Sequence, residues 1–315
     1  MTETLLNYLL KPNPRVIFPS GGGSTFTFNE DWDTIENVEE WTEFNYEVLT
    51  ERFERDLRCQ VAQFDATTKC EEAGYNKIFD ERGLSDLVCM SITVPVSAVL
   101  KPLFITSGGR VWEKLGCLPD WGAGRENDLN EHGRANALVL GDTKFKWDSA
   151  CGIDTVRNSE DDSYEDAPER DDVRPIEQVQ YYGAVYRCRY VFVITEKELV
   201  VMQLHLAPDP IRTSPRPVRT RPSASHQRVL SSSEISKQFT DKMSLDESVK
   251  ESALRARIGL LKYKRVSWNA RKGLTIKLAL YCLIRLADED GNDLRTEYPS
   301  ILAHGGSSAT QMPRY

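Results

Sequence analysis

The chain has 315 residues, 40% hydrophobic and 28% charged, which is typical of a globular protein with one large core or two modest ones. No apolar run approaches the ~18 residues that span a bilayer, and the N-terminal residues lack the basic start of a secretory signal. We therefore expect neither a membrane protein nor a secreted one. The formal charge of −8 hides an asymmetry, because residues 157–172 carry net −6 and residues 212–272 carry net +10. That asymmetry is compatible with a polyanionic partner, and two solvated segments of opposite sign explain it equally well.

Cysteine and histidine usage restricts the chemistry further. The seven cysteines are odd in number, well separated and without Cys-x-x-Cys spacing, so neither a disulfide framework nor a zinc site is predicted. The four histidines lack ligand spacing, so any bound metal should be a hard, oxygen-liganded ion such as Mg²⁺. We expect an intracellular protein, cytoplasmic or nuclear.

The first elements are an extension and a helix. Residues 1–37 form a predicted N-terminal extension that includes a Gly/Ser-rich connector at 18–30. Residues 38–64 carry apolar side chains close to helical spacing, which predicts one amphipathic helix. Residues 87–105 are rich in β-branched side chains and are interrupted by two prolines, which predicts one or two strands, or a strand and a connector.

The middle of the chain predicts strands, an acidic loop and a hairpin. Residues 115–124 read as a short strand or turn, and residues 135–147 as a buried strand. Residues 155–173 are predicted to be a disordered acidic loop, since they cannot bury enough apolar surface to offset their ordering entropy. A short helix over 175–186 should then begin with Pro175 in its first turn. Residues 189–206 contain two β-rich runs around a polar turn and predict a hairpin.

The last third is basic. Residues 208–228 are rich in Pro, Arg and Ser and predict a linker. Residues 229–303 are predicted to supply a strand and helices that pack on the core, and 304–315 a flexible tail. Within that region we predict a helix over 244–263 with Ser244 as its N-cap, a short strand over 264–268, and a buried helix over 274–287.

One motif suggests chemistry. Asp142-Thr143-Lys144 ends the predicted buried strand, and it is the only Asp/Glu-x-Lys sequence in the chain. Residues two apart on a strand share a face, so the carboxylate and the ammonium should project together. Asp120 follows Pro119 at the end of a short apolar run, 22 residues earlier. Two such carboxylates can hold Mg²⁺ if they converge.

In order, spacing and predicted secondary structure, these residues resemble the PD-(D/E)xK nuclease superfamily, and the similarity covers residues 38–207. The segments GDTKFKW and RPIEQVQYYGAVYRCRYVFVITEKELVV resemble uncharacterised fungal proteins with this nuclease-like core, such as that of spore-killer elements. The resemblance implies an α/β fold with a restriction-endonuclease-like core, in which helices flank a central mixed sheet. A basic helical C-terminal extension should follow that core.

The resemblance also implies roles for individual residues. Asp120 and Asp142 would hold Mg²⁺ with the carbonyl of Thr143, and Lys144 would orient the attacking water and offset charge on the scissile phosphate. A glutamate of the first helix often completes such a site; Glu40 is preferred, and the alternatives on the same stripe are Glu43, Glu47 and Glu51. A glutamine on the helix after the Asp-x-Lys strand is also found in some branches. Gln178 is the candidate, with Gln180 as the alternative on another side of that helix.

Structural interpretations compete with each of these roles. Asp142 and Lys144 also fit a surface ion pair, Asp120 a turn residue after proline, and the glutamate stripe the solvated face of a helix. Three functions therefore stay open. The leading one is Mg²⁺-dependent hydrolysis of DNA phosphodiester bonds. The second is a catalytically inactive nuclease fold that binds nucleic acid, and the third is a protein-interaction factor of an accessory or biosynthetic gene cluster, binding its partner through the acidic loop.

Overall fold

The chain combines nine strands and nine α-helices in its described part. A computed structural model describes residues 1–18, 32–109, 111–114, 117–130, 133–159, 164, 170–208 and 256–304. The strands within these ranges are β1 (Thr2–Thr4), β2 (Val38–Glu40), β3 (Gln60–Ala62), β4 (Leu103–Ser107), β5 (Trp121–Arg125), β6 (Val139–Thr143), β7 (Tyr190–Ile194), β8 (Glu198–Leu206) and β9 (Ile258–Ser267). The helices are α1 (Leu5–Leu9), α2 (Tyr46–Arg52), α3 (Glu54–Leu57), α4 (Ala66–Glu72), α5 (Glu81–Val88), α6 (Val94–Leu100), α7 (Ser149–Asn158), α8 (Arg170–Tyr186) and α9 (Ile276–Glu289). A π-helical turn (Cys89–Thr93) joins α5 to α6, and a 3₁₀ turn covers Ile301–His304.

Seven of these strands form one mixed sheet in the order β2-β9-β8-β7-β6-β5-β4, and β1 pairs with β3 in a small second sheet. The β2–β9 and β6–β7 pairs are parallel and the other pairs are antiparallel. The parallel β6–β7 pair requires a crossover, which α7 and α8 supply. The predicted α/β class with a central mixed sheet flanked by helices is therefore confirmed.

Each face of the sheet is covered by its own helices. Strand β7 (YVFVI) is buried throughout, with alternate side chains entering the two cores. Tyr190, Phe192 and Ile194 pack with α1, α5, α6 and α9, whereas Val191 and Val193 pack with α7 and α8. Asp142 lies on the same face as Leu140, which belongs to the α7–α8 core.

The N-terminal half departs from the predicted elements. The single helix predicted over 38–64 is wrong, because Val38–Glu40 pairs in parallel with β9 and only Tyr46–Arg52 and Glu54–Leu57 are helical. Asn45 begins α2 by accepting a hydrogen bond from the Val48 N–H at 2.9 Å. The helical periodicity of 38–64 therefore arises from several short elements that bury apolar side chains on one side.

Residues 87–100 are helical rather than extended. Asp80 caps α5 by accepting from the Gly83 N–H at 2.8 Å, and the π turn precedes Pro95, which has no N–H to donate. Only β4 (Leu103–Ser107) of the predicted strand region is a strand. Burial against the sheet overrides β-propensity here. By length and composition Glu81–Leu100 could cross a membrane, but half of its most apolar window is buried in the fold, as in core helices.

The region predicted as a disordered acidic loop is partly ordered. Helix α7 extends to Asn158 and α8 begins at Arg170, so Pro175 lies inside the helix and not in its first turn. Asp171 and Asp172 lie in the first turn of α8, where the helix dipole favours negative charge. Between the helices, the buried Tyr164 hydroxyl accepts from the Ile35 N–H at 2.6 Å and donates to Glu177 at 3.0 Å. Residues 160–163 and 165–169 lie outside the described ranges.

The C-terminal region belongs to the main fold. Ile258–Ser267 is a strand between β2 and β8, so the predicted helix over 244–263 is wrong for its described part, and residues 244–255 lie outside it. The predicted strand over 264–268 falls within β9 except for Trp268, which follows its last residue. The predicted buried helix over 274–287 is confirmed by α9, which begins at its N-cap Thr275. The extension is therefore a central strand and a core helix in its described part; the linker and the tail fall outside it.

Candidate active site

Asp120 and Asp142 are neighbours across the β5–β6 pair. Antiparallel pairing of Trp121 with Gly141 puts the next residues, Asp120 and Asp142, opposite each other. Side chains in this position share a face with Cβ atoms ~4.5–5.5 Å apart, and the two carboxyl groups are close enough to share a hydrogen bond. Like charges directly opposite each other destabilise a sheet, which favours a functional origin for the pair.

Backbone contacts fix Asp120. Its Oδ2 accepts from the Thr143 N–H at 2.9 Å, and its carbonyl accepts from the Gly108 N–H at 2.5 Å. A Cβ at Gly108 would lie 1.8 Å from the carbonyl oxygen of Pro119, so only glycine allows β4 to approach this closely. The ends of strands β4, β5 and β6 therefore hold the Asp120 carboxylate in one orientation.

Lys144 completes the motif at the end of β6. Its N–H donates to the Ile194 carbonyl at 3.0 Å, and its ammonium forms an ion pair with Asp142 Oδ2. Asp142 is 2% exposed and Lys144 is 4% exposed. The interpretation as a surface ion pair is therefore wrong. A buried pair costs several kcal/mol of desolvation per ion, so it is weak evidence for a purely stabilising role.

A glutamate that the sequence analysis did not single out joins this group. Glu81, the first residue of α5, accepts from the Phe145 N–H through Oε2 at 3.4 Å and interacts electrostatically with Lys144 and Asp120. The available signal was Asp80 as an N-cap, followed by apolar residues at helical spacing. The prediction of strands over 87–105 concealed the start of this helix.

Burial and the charge of Asp120 raise the pKa values of the Asp142 and Glu81 carboxyl groups. Burial, and then the charge of Asp120, raise the pKa of Asp142 to about 8 despite the attraction of Lys144. Burial and Asp120 also raise the pKa of Glu81. Burial alone would lower the pKa of Lys144, but attraction to Asp142 and Glu81 raises it. Three carboxylates against one ammonium leave a charge of −2 when all are ionised, which protons or a cation must offset.

Helix α8 contributes Gln178 and Tyr182 on the same side of the sheet. Gln178 Nε2 donates to the Tyr182 hydroxyl at 2.7 Å, and the charges of Asp142 and Asp120 raise the pKa of Tyr182, after the larger effect of burial. Gln178 therefore contacts Tyr182, and the charges of the two carboxylates act on the Tyr182 hydroxyl. Gln180 points elsewhere, since its amide donates to the carbonyls of Asp33 and Thr34.

The predicted glutamate stripe does not reach the site. Glu40 lies on β2, four strands from β6, which at ~4.8 Å per strand is roughly 19 Å away. There Glu40 forms an exposed ion pair with Lys264 at 2.9 Å. The alternatives Glu47 and Glu51 lie on α2, which packs beside the 3₁₀ turn Ile301–His304, and Glu43 lies between β2 and α2. The structure thus brings together Asp120, Asp142 and Lys144 and separates Glu40 from them.

The donor set suits a hard divalent cation. Asp120 and Asp142 are in contact, Glu81 is near, and their combined charge is negative when they are ionised, which matches the oxygen ligands that Mg²⁺ prefers. In the described part of the chain, no three or more His, Cys, Asp or Glu side chains already surround one ion position. The fit therefore rests on the two aspartates.

Comparisons of the chain with protein-family models, with curated proteins and with solved structures found no match.

Proposed function

We propose that the protein is a Mg²⁺-dependent nuclease of the PD-(D/E)xK type that hydrolyses DNA phosphodiester bonds. The observation that carries the proposal is a pair of opposed carboxylates at the ends of β5 and β6, one of which forms an ion pair with a buried lysine. Carboxylates with raised pKa values beside a specific charged partner are more common in functional sites than in structural ones.

The connectivity supports the proposal. From α5 to β7 the elements run helix, three antiparallel strands, helical crossover and parallel strand. This order agrees with a restriction-endonuclease-like core whose first helix is α5–α6. In that alignment Glu81 takes the place of the helix glutamate that was assigned to Glu40, and Gln178 stands on the helix after the Asp-x-Lys strand.

Each residue then has a physical role. Asp120 and Asp142 would hold Mg²⁺, which when bound offsets charge on the phosphate and lowers the pKa of a water molecule. Lys144 would place a positive charge beside the scissile phosphate and orient the attacking water, while the charge of Glu81 helps to keep the buried ammonium protonated. Gln178 would fix the Tyr182 hydroxyl, which lies close enough to Asp142 and Asp120 for their charges to act on it.

Burial favours one alternative, a catalytically inactive nuclease fold that binds nucleic acid or a protein. Asp142 and Lys144 are almost fully buried, and only Asp120 and Glu81 among the four are partly exposed. Substrate must therefore reach the site past Asp120 and Glu81.

The test compares cleavage by wild type and variants in Mg²⁺, Mn²⁺ and EDTA, on plasmid and on single-stranded DNA. Lys144→Met and Glu81→Gln should each lower Mg²⁺-dependent cleavage by at least roughly 100-fold, since each removes a charge at the reacting centre. Glu40→Gln is the matched control and should cleave like wild type. Equal cleavage by every variant would indicate contamination, and no cleavage by wild type would favour the inactive fold.

A further inference from the structure

An aromatic rim lies beside the candidate site. Phe18 is 50% exposed and Phe79 is 59% exposed. The Phe18 ring packs on Phe145 with 6.0 Å between ring centroids, tilted by 45°. Phe145 directly follows Lys144, and its N–H donates to Glu81. We call Phe18 and Phe79 the aromatic rim.

The backbone holds both rim residues in place. The Ile17 N–H donates to the Asn76 carbonyl at 2.8 Å, and the Ile78 N–H donates to the Ile17 carbonyl at 2.9 Å. This bridge places Phe18 beside the segment that leads into Phe79. Phe79 is only two residues from Glu81, at most ~7 Å along the chain. These backbone hydrogen bonds therefore hold the aromatic rim beside Glu81, at the opening of the candidate site.

Charges of both signs surround the rim, since Asp80 and Asp86 are exposed on either side of the cations. Lys77, Arg82 and Lys146 are exposed there, and Arg82 pairs with Asp86 at 3.5 Å. Lys146 extends over the Phe145 ring, with its ammonium 5.2 Å from the ring centroid. Exposed aromatic rings between cations match a ligand that combines planar bases with phosphates.

We propose that the aromatic rim stacks on unpaired nucleobases, so that the ligand of this site is a single strand or a single-stranded end. The inference rests on the proposed function for the position of the phosphate, which would lie between the rim and Asp120. In a duplex the base faces are covered by their neighbours, so a duplex can offer its phosphates to the cations but cannot offer its bases to the rim.

The test is equilibrium binding in EDTA, where hydrolysis is stopped. Fluorescence anisotropy would compare a mixed-sequence 20-nucleotide DNA with a 20-unit abasic strand, a 20-base-pair duplex and a 20-nucleotide RNA. The wild type should bind the DNA strand more tightly than the abasic strand or the duplex. The RNA arm then shows whether the strand that is preferred is DNA or RNA.

Substitutions locate the contact. Phe18→Ala and Phe79→Ala should each weaken single-strand binding roughly 5- to 150-fold, the range for loss of one base–aromatic stack, and should leave abasic binding unchanged. Phe79→Tyr should retain binding. Leu129→Ala is the matched control, since Leu129 is 55% exposed in the loop beyond β5, at its other end. All substituted side chains are exposed, so folding should be unaffected.

Two results would overturn the inference: abasic or duplex binding as tight as that of the single strand, or rim variants that bind like wild type. Absence of binding to every probe would overturn it as well. The outcome is distinguishable from that of the proposed function. Rim-dependent binding without cleavage in Mg²⁺ would defeat only the hydrolysis, and cleavage without rim dependence would defeat only the stacking.

Discussion

Replacing Asp142 with asparagine should change stability in a pH-dependent way, in favour of the variant as the pH rises from 5 to 7, while removing the proposed chemistry. The folded protein holds the pKa of this carboxyl near 8, against an ordinary value of 3.8. Between these values the folded state keeps a proton that the unfolded state releases. Stability contributed by the protonated group is therefore complete below about pH 4 and is lost as the pH rises towards 8. An asparagine has no such dependence.

The size of the effect follows from linkage. Each pH unit inside this window changes the free energy of unfolding by at most ~1.4 kcal/mol. Between pH 5 and pH 7 the wild type should therefore lose up to about 3 kcal/mol relative to Asp142→Asn. Mg²⁺ at ten times its dissociation constant should stabilise the folded wild type by about 1.4 kcal/mol and so offset part of this loss.

Urea unfolding at pH 5, 6, 7 and 8 in EDTA would measure the difference, with Mg²⁺ added in a second series. Asp154→Asn is the matched control, because Asp154 is an exposed aspartate of α7 outside the buried group. A pH-independent difference for Asp142→Asn would mean that Asp142 is ionised throughout and fully paired with Lys144. Equal stabilisation of wild type and Asp142→Asn by Mg²⁺ would place the metal elsewhere.

Three further predictions concern packing. Gly141→Ala should cost about 1–3 kcal/mol in thermal or urea unfolding, because its Cβ would lie 2.2 Å from the Phe192 ring, whereas Gly83→Ala, with 3.5 Å of space, should be neutral or stabilising. Tyr164→Phe removes a hydroxyl that makes two buried hydrogen bonds and should cost about 1–3 kcal/mol. Deleting 157–172 should unfold or strongly destabilise the chain, since it removes Tyr164 and the first residues of α8; an unchanged melting temperature would contradict this.

The last prediction corrects an expectation from charge alone. Residues 155–173 were predicted to form a disordered acidic loop that buries little apolar surface. The C-terminal end of this segment is helical despite its negative charge, because Asp171 and Asp172 favour the start of a helix. Trp147 also donates to the Asp172 carbonyl at 2.6 Å, which ties α8 to the strand end.

Local sequence patterns predicted the elements that depend on neighbouring residues along the chain. The apolar run before Gly141 predicted a buried strand, and the alternation of Asp142 and Lys144 predicted side chains on one face. The β-rich runs around Thr195 predicted the hairpin, and the long apolar segment after Thr275 predicted α9. These are local signals, because periodicity and turn residues act over a few positions.

Contacts between residues that are distant along the chain could not be predicted and are known from the folded structure. Glu40 and Glu81 both stand in acidic segments near apolar residues, and although Asp80 marks a helix start, nothing local shows which glutamate meets the Asp-x-Lys strand. Pairing of β2 with β9 carries Glu40 to the far edge of the sheet, whereas Asp80 starts a helix that places Glu81 beside Lys144. Strand order is a long-range property that pattern along the chain does not encode. The raised pKa of Asp142 has the same origin, since burial and the approach of Asp120 arise only when β5 and β6 pair.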